Sequence, residues 1–397
     1  MSCERGDLRQ SPDGLYLYGD DGKREIVLPR LVTRMAEADF VGAKDDTVNI
    51  KVGAYATART RGLRSGAART RDELTERTVA VQLATDVYKD IKLTDENLTL
   101  DVRNFDEQVL QPAMAAVARK IEEELVSTIT GATYAKSIAF SYSTGNVWKD
   151  LIVKARELLN KARVPSGGRV LAVGSGIETA MLNTDLFVQA QQSGTTEALE
   201  EATIGRKAGF QIVSLPALGP DEAYAFHPTA YALAQMAPVV PAGAPWGASR
   251  SFGGFALRAV QVLDSASIED ILALDAYLGA TAVKDAGYFD ANGVFFPAEG
   301  QLGDVKSGTA SATTDNISVT NHGYAVDDLV VFTALTGGAP LQVNRAYYVV
   351  QVVDANTFKV SATKGGTAID ITSDATALSV RKNGHEILVR AVKITAS

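Results

Sequence analysis

The feature that most constrains this fold is a long arginine-rich segment, residues 56–77, between two short strand patterns. The patterns are Asp46–Tyr55 and Thr78–Ile91, and in both of them apolar and polar residues alternate. Two neighbouring strand patterns predict a hairpin, but the segment between them is far longer than a hairpin loop normally needs. We therefore expect an extended arm, whose arginines are Arg59, Arg61, Arg64, Arg69, Arg71 and Arg77.

Arginines on such an arm have three candidate partners: acidic patches on neighbouring subunits, nucleic-acid phosphates, or water. The chain is acidic overall, with a net charge of -8, so other copies of it would supply carboxylates. Asp72 and Glu73 lie at the far end of the arm and would repel phosphate. The pattern therefore favours contacts between subunits for the six arginines.

The middle of the chain mixes helices and strands. A helix is expected from Asp106, a candidate cap, to about Ile129, with apolar residues at helical spacing at Leu110, Met114, Val117, Ile121 and Leu125. A second helix follows Asn146 and stops at Val164-Pro165. Further elements are then expected, namely strands at Arg169–Val173, Phe210–Ser214 and Glu222–Phe226 and a short helix at Ile177–Leu182. This alternation predicts an α+β fold.

Beyond about Leu302 the sequence is rich in Thr, Ser, Asn, Gly and Val and has no helical period. Turn residues such as Asn321–Gly323 separate short strand patterns there. The region predicts a small all-β domain, either Ig-like or a sandwich or barrel. A last strand pattern, HEILVRAVKI, follows from His385.

Composition narrows the function classes. Cys3 is the single cysteine, so no intramolecular disulfide forms and a reducing cytosol suits the chain. We expect neither a secretory signal nor a membrane span, because the first residues lack an apolar core and no long apolar run occurs later. A pI near 5.1 argues against a dedicated nucleic-acid binder.

Catalytic patterns are weak. The three histidines, His227, His322 and His385, are scattered and lie in no metal-binding motif. The segment VGSGIETA imitates a dinucleotide fingerprint through Gly174 and Gly176, but it has Thr179 at the third glycine position and no convincing βαβ unit around it. The acidic run Glu122–Glu124 favours a solvated surface or an interface. We assign no catalytic residue, cofactor or metal ligand.

Taken in order, these parts resemble the major capsid proteins of tailed phages, which have the Hong Kong 97 type fold. The segment Asp86–Leu125 looks like that family's returning loop strand leading into its spine helix, and Ala202–Leu218 resembles an axial-domain segment. Residues 223–234 look like the strand and helix that follow, and 255–286 look like the return into the peripheral domain. No lysine lies in the arm between Arg59 and Arg77, so the covalent cross-link of some family members is not carried over.

The resemblance implies a subunit that self-assembles through pentamers and hexamers into an icosahedral shell around double-stranded DNA. It implies scaffolding and portal proteins as partners, weak nonspecific contact with the packaged DNA, no membrane, and synthesis in the host bacterial cytoplasm. It also implies a division into an N-terminal arm (1–45), extended loop (46–97), peripheral domain with spine helix (98–145), axial domain (146–255), return to the peripheral domain (256–302), all-β domain (303–382) and terminal strand (383–397).

Two other functions stay open at this point. A virion decoration or adhesion protein would act through residues 303–382, and a nucleotide-binding enzyme would use Gly174 and Gly176. Neither accounts for the arm and the spine helix.

Overall fold

The computed structural model describes residues 28–35, 46–52, 58, 60–64, 68, 77–94, 109–141, 147–183, 206–252, 255–264, 269–298 and 301–396. Its α-helices are α1 (Gln111–Gly131), α2 (Val147–Lys161) and α3 (Ser175–Leu182). Its strands are β1 (Thr33–Arg34), β2 (Thr47–Val52), β3 (Arg77–Gln82), β4 (Thr85–Leu93), β5 (Ser137–Phe140), β6 (Arg169–Val173), β7 (Arg206–Lys207), β8 (Phe210–Ser214), β9 (Glu222–Phe226), β10 (Tyr231–Met236), β11 (Trp246–Phe252), β12 (Phe255–Asp264), β13 (Glu269–Ala282), β14 (Asp285–Phe289), β15 (Phe295–Pro297), β16 (Lys306–Ser311), β17 (Asn316–Ser318), β18 (Leu329–Gly337), β19 (Ala346–Val352), β20 (Thr357–Ser361), β21 (Ala375–Lys382), β22 (His385–Ile387) and β23 (Ala391–Ala396).

The first sheet has the strand order β1-β10-β13-β12-β11, and β4 pairs with the other edge of β13. The even-numbered residues of β13, from Leu272 to Leu278, are buried together with the apolar residues of α1. We call this side of the sheet the inner face. Side chains alternate along a strand, so the odd-numbered residues of β13 lie on the opposite side, the outer face.

Helix α1 confirms the apolar spacing expected from the sequence. Leu110, Met114, Val117, Ile121 and Leu125 are all buried. Pro112 lies in the first turn, where its missing N–H costs no intrahelical hydrogen bond. The candidate cap Asp106 lies outside the described residues.

The acidic run on α1 differs from its prediction at one position. Glu122 is only 8% exposed, and its Oε1 accepts a hydrogen bond from the backbone N–H of Leu28 at 3.2 Å. Glu123 and Glu124 pair with Lys120 on the helix surface. The run therefore has two roles, because Glu122 fastens the preceding chain to the helix.

The second sheet has the order β5-β23-β9-β6-β8-β7. Helices α2 and α3 pack on one face of it, against residues that include Leu171 and Val173, while Val170 and Tyr224 on the other face join the core around α1. Strands β6, β8 and β9 have the bounds expected from the sequence. This sheet is buried on both faces, which is typical of a central layer.

Two predictions in this region are wrong. Residues 223–234 were expected as a strand followed by a helix, but after β9 there is only a single 3-10 turn, Pro228–Ala230, and then strand β10, whose side chains are buried on both faces. A continuous apolar run carries no period that separates helix from strand. The segment after β6 does lie in a βαβ unit, because β6 and β8 are parallel and α3 lies between them in the chain.

Strands β16 to β21 form a closed barrel with its own core, in the order β16-β17-β20-β19-β18-β21. This confirms the predicted all-β C-terminal domain. The chain enters and leaves the barrel at one point, where the Gly303 N–H donates to the Lys382 carbonyl at 3.0 Å. The flanking strands β15 and β22 lie in one small sheet on either side of β14, so the barrel is an insertion.

The sheets do not follow the predicted domain limits. Strands β10 and β11 come from residues 146–255, yet they pair with β13 and β12 of the first sheet. Strand β23, from the terminal segment 383–397, pairs with β9 and β5 of the second sheet. Among the described helices, none combines the length and the apolar character needed to cross a membrane.

Candidate intersubunit surface

The predicted hairpin is present and is fixed at its base. Strands β2 and β3 pair antiparallel over their whole lengths. The expected long second strand is divided at Leu83–Ala84, where the chain turns from β3 into β4. The Leu83 N–H donates to the Asp46 carbonyl at 3.1 Å, and the Ala84 N–H donates to the Leu278 carbonyl at 3.1 Å.

Apolar packing holds this base on the outer face of the first sheet. Val81 is fully buried in a cluster with Ala232, Ala234 and Val283. Gly279 makes the close approach possible, because a Cβ on this residue would lie 2.1 Å from the Gln82 carbonyl oxygen. The hairpin therefore leaves the molecule from a defined point and in a defined direction.

The structure places some of the six predicted arm residues. Arg61 and Arg64 are exposed, and Leu63 between them is 99% exposed in a turn. Arg77 is the first residue of β3, while Arg59, Arg69 and Arg71 lie outside the described residues. The described part of the arm thus presents two guanidinium groups beside a large apolar side chain.

A second exposed surface on the outer face was not identified from the sequence. Asp86, Tyr88 and Asp90 alternate along β4 with buried residues such as Val87, and all three are exposed. Tyr277 of β13 lies directly opposite Asp86 in the register. We call these four residues, Asp86, Tyr88, Asp90 and Tyr277, the outer patch. The alternation along β4 was a partial signal, because Val87 and Leu93 are buried and residues between them at odd spacing point to the other side.

The charges around the outer patch are unevenly neutralised. Arg258 of β12 pairs with both carboxylate oxygens of Asp275, through Nε at 2.8 Å and also through Nη2. Burial raises the pKa of the Asp86 carboxyl, the neighbouring carboxylates of Asp275 and Asp90 raise it further, and Arg258 opposes them. A cation placed beside Asp86 would therefore be stabilised, while Lys92, on the same side of β4, is already paired with Glu269.

The imitation of a dinucleotide fingerprint has a packing explanation. A Cβ on Gly174 would lie 2.0 Å from the Gly219 carbonyl oxygen, and one on Gly176 would lie 2.9 Å from the Pro220 carbonyl oxygen. The N–H groups of Gly174 and Ile177 donate to the carbonyls of Glu222 and Pro220. A phosphate would need such N–H groups free, and here the protein's own loop uses them.

The three histidines are separate from one another. His227 lies between β9 and β10, His322 is buried in the barrel, and His385 begins β22. Burial lowers the pKa of His227 and of His385, and nearby arginines lower both further. Within the described residues, no cluster of His, Cys, Asp and Glu could hold a metal ion.

The chain was compared with families of known proteins and with solved structures. A family model described as phage capsid protein matches residues 75–264, the range that contains β3 to β12 and all three described helices. No curated protein matches the chain.

Three solved structures are similar to this chain over part of its length. A structure from Mycobacterium phage Che8 is 21% identical at a TM-score of 0.48, covering 65% of this chain and 87% of that one. The capsid structure of the cyanophage P-SCSP1u is 11% identical at a TM-score of 0.49, covering 64% and 84%. The capsid of an empty GTA particle is 10% identical at a TM-score of 0.43, covering 70% and 88%.

The family match relates this α+β chain with its anchored hairpin to phage capsid proteins, which are structural proteins of virus particles. The match spans just under half of the chain, from β3 to β12, and makes this part similar to the subunits of phage capsids.

Proposed function

We propose that the chain builds an icosahedral shell of the Hong Kong 97 type through pentamers and hexamers, each subunit reaching its neighbour with the hairpin arm. The observation that supports this most directly is the hairpin, whose base is fixed on the first sheet and whose described tip exposes Leu63 between Arg61 and Arg64. Unlike surfaces that meet with the right rotation close into rings. A long arm adds contact area without enlarging the core.

The domain division given by the resemblance fits this role with two adjustments. The peripheral domain would consist of the first sheet and α1, and would include β10 and β11. The axial domain would consist of the second sheet with α2 and α3, and would include the terminal strand β23. These units are proposals, as is the separate extended loop.

The partners beyond the chain itself are also proposals. A scaffolding protein and a portal protein would direct assembly, and double-stranded DNA would contact the shell weakly and without sequence preference. A net charge of -8 supports the weak contact, because an acidic wall does not retain phosphates. We propose a structural role without catalysis, with synthesis and assembly in the host bacterial cytoplasm.

The arm arginines give the direct test. Replacing Arg59, Arg61, Arg64, Arg69 and Arg71 together by Ala removes charge from the arm but leaves the buried base of the hairpin unchanged. We expect the subunit to fold with an unchanged circular dichroism spectrum and melting temperature, and the yield of shells to fall at least tenfold. Size-exclusion chromatography followed by negative-stain electron microscopy measures that yield.

A matched control separates charge from position. Five lysines or arginines on other surfaces, Lys154, Arg156, Arg206, Lys359 and Lys364, are replaced by Ala in the same way. Normal assembly of the control beside failed assembly of the arm variant supports the proposal. Wild-type yields of shells from the arm variant would contradict it.

A further inference from the structure

Among the described residues, the outer face of the first sheet is covered at its two ends and exposed between them. At one end the hairpin base covers it through Val81 and Gln82. At the other end, over β11 and β12, Val240 approaches Gly247, and the Val239 carbonyl accepts a hydrogen bond from Arg258 at 2.6 Å. The outer patch lies on the strip between them.

This strip has the composition of a contact surface. Tyr88 is 67% exposed and Tyr277 is 40% exposed, so two aromatic rings face solvent beside the carboxylates of Asp86 and Asp90. Arg258 is engaged by Asp275 and by the Val239 carbonyl, and it offsets the charge of Asp86 only in part. Aromatic rings next to carboxylates suit guanidinium groups well. A guanidinium group can stack on the ring and make paired hydrogen bonds to the carboxylate.

The arm has the complementary composition. Arg61 and Arg64 supply guanidinium groups, and Leu63 supplies an apolar side chain that is fully exposed in the single subunit. Burying Leu63 against a neighbouring copy would remove its apolar surface from water, which favours association. The base of the arm lies on the same outer face that carries the patch.

We propose that the outer patch of each subunit receives the Arg61–Arg64 tip of the neighbouring copy's arm, with the guanidinium groups against Asp86 and Asp90 and Leu63 between Tyr88 and Tyr277. The inference rests on the proposed arm function and adds the identity of the acceptor. The contact is head to tail, since the arm and patch of one subunit are used on different neighbours. Such contacts close into rings without any two-fold pairing.

Charge reversal tests the pairing. The acceptor variant D86R/D90R and the arm variant R61D/R64D should each reduce the yield of shells at least tenfold, because like charges then meet at the contact. The chain with all four substitutions restores opposite signs and should recover at least half of the wild-type yield. The control D304R/D370R makes the same charge change on the barrel surface and should assemble normally.

The outcomes separate this inference from the function on which it rests. Normal assembly of R61D/R64D would contradict the arm function itself. Failure of R61D/R64D together with normal assembly of D86R/D90R would leave the arm function standing and overturn the outer patch as its acceptor. Circular dichroism of each variant shows that a loss of shells does not come from unfolding.

A disulfide cross-link decides the case in which D86R/D90R and R61D/R64D both fail to assemble and the variant with all four substitutions does not regain the yield of shells. In a C3S background, L63C and Y88C are combined, and assembled particles are oxidised. We expect a ladder of disulfide-linked multimers on a non-reducing gel, which disappears on reduction. The control L63C/V326C places the second cysteine on the exposed barrel surface and should give no ladder, and absence of a ladder from L63C/Y88C would overturn the proposal.

Discussion

At the residue scale, His227 marks the point where the chain passes from the second sheet to the first. Its N–H donates to the Arg390 carbonyl at 3.0 Å, and its Nδ1 lies 2.8 Å from the Thr229 hydroxyl. Arg390 in turn makes a two-pronged pair with Asp285, at 2.7 and 2.5 Å. The passage between the two sheets is therefore held by a small set of polar groups, of which His227 is the one that titrates near neutral pH.

This arrangement predicts a pH dependence of stability. Burial, Arg390 and Arg169 lower the pKa of His227 below its usual range, so the folded state resists protonation. As the pH falls through the ordinary histidine range, the unfolded chain takes up a proton that the folded chain refuses, and the free energy of unfolding decreases. The melting temperature should therefore fall between pH 7.5 and pH 5.5.

The variant H227N isolates this contribution, because an asparagine Oδ1 keeps an acceptor for the Thr229 N–H but cannot titrate. We expect its melting temperature to fall less steeply over the same pH range. Parallel curves for H227N and the wild type would show that His227 does not carry the effect. Differential scanning fluorimetry of unassembled subunits provides the measurement.

At the element scale, the hairpin depends on one glycine for its position. Substituting Gly279 by Ala puts a methyl group about where the Gln82 carbonyl oxygen lies, at 2.1 Å in the present backbone. We expect a destabilisation of about 1–3 kcal/mol from overpacking, since both neighbours are backbone atoms that cannot rotate away. Because β3 must move, assembly should suffer as well.

The control for Gly279 is Gly131, at the end of α1. A Cβ there would meet no atom within 4 Å, so G131A should leave the stability and the yield of shells unchanged. Urea unfolding of both variants measures the first effect and electron microscopy the second. Equal stability of G279A and G131A would mean that the hairpin base is more adaptable than its packing indicates.

How far the sequence predicts these elements depends on how local their determinants are. Helix α1 and strands β6, β8 and β9 follow from periodicity and turn residues within each segment. Strand β10 could not be predicted in this way, because an element buried on both faces has no polar side. The outer patch required knowing that β4 is an edge strand and that the hairpin base covers only part of the sheet, and both facts depend on long-range pairing.

At the scale of the whole molecule, the barrel is an inserted unit with a limited attachment to the rest. Its core is separate from the two sheet cores, and its two ends meet at Gly303 and Lys382. A further contact joins it to the body, where the Phe289 N–H donates to the Asn344 carbonyl at 2.9 Å. The barrel is therefore attached at a defined place, but it contributes few residues to the two sheets and their cores.

Replacing residues 303–382 by a short Gly-Ser linker should leave a subunit that folds and assembles. The lost backbone hydrogen bond at Phe289 should cost about 0.5–1.5 kcal/mol, a small loss against the whole. Residues 301–384 alone should fold as a barrel with a cooperative thermal transition. Aggregation of the excised subunit, or the lack of a transition in the isolated barrel, would show that the two parts depend on each other.

Because the two ends of the barrel meet, the barrel can change independently of the rest of the chain during evolution. A domain of this kind can be acquired or lost in a single genetic insertion or deletion, provided that the reading frame keeps β15 and β22 beside β14. Selection on the lattice then leaves the barrel largely alone, and selection on the barrel leaves the lattice alone. The two parts of one gene are free to change at different rates.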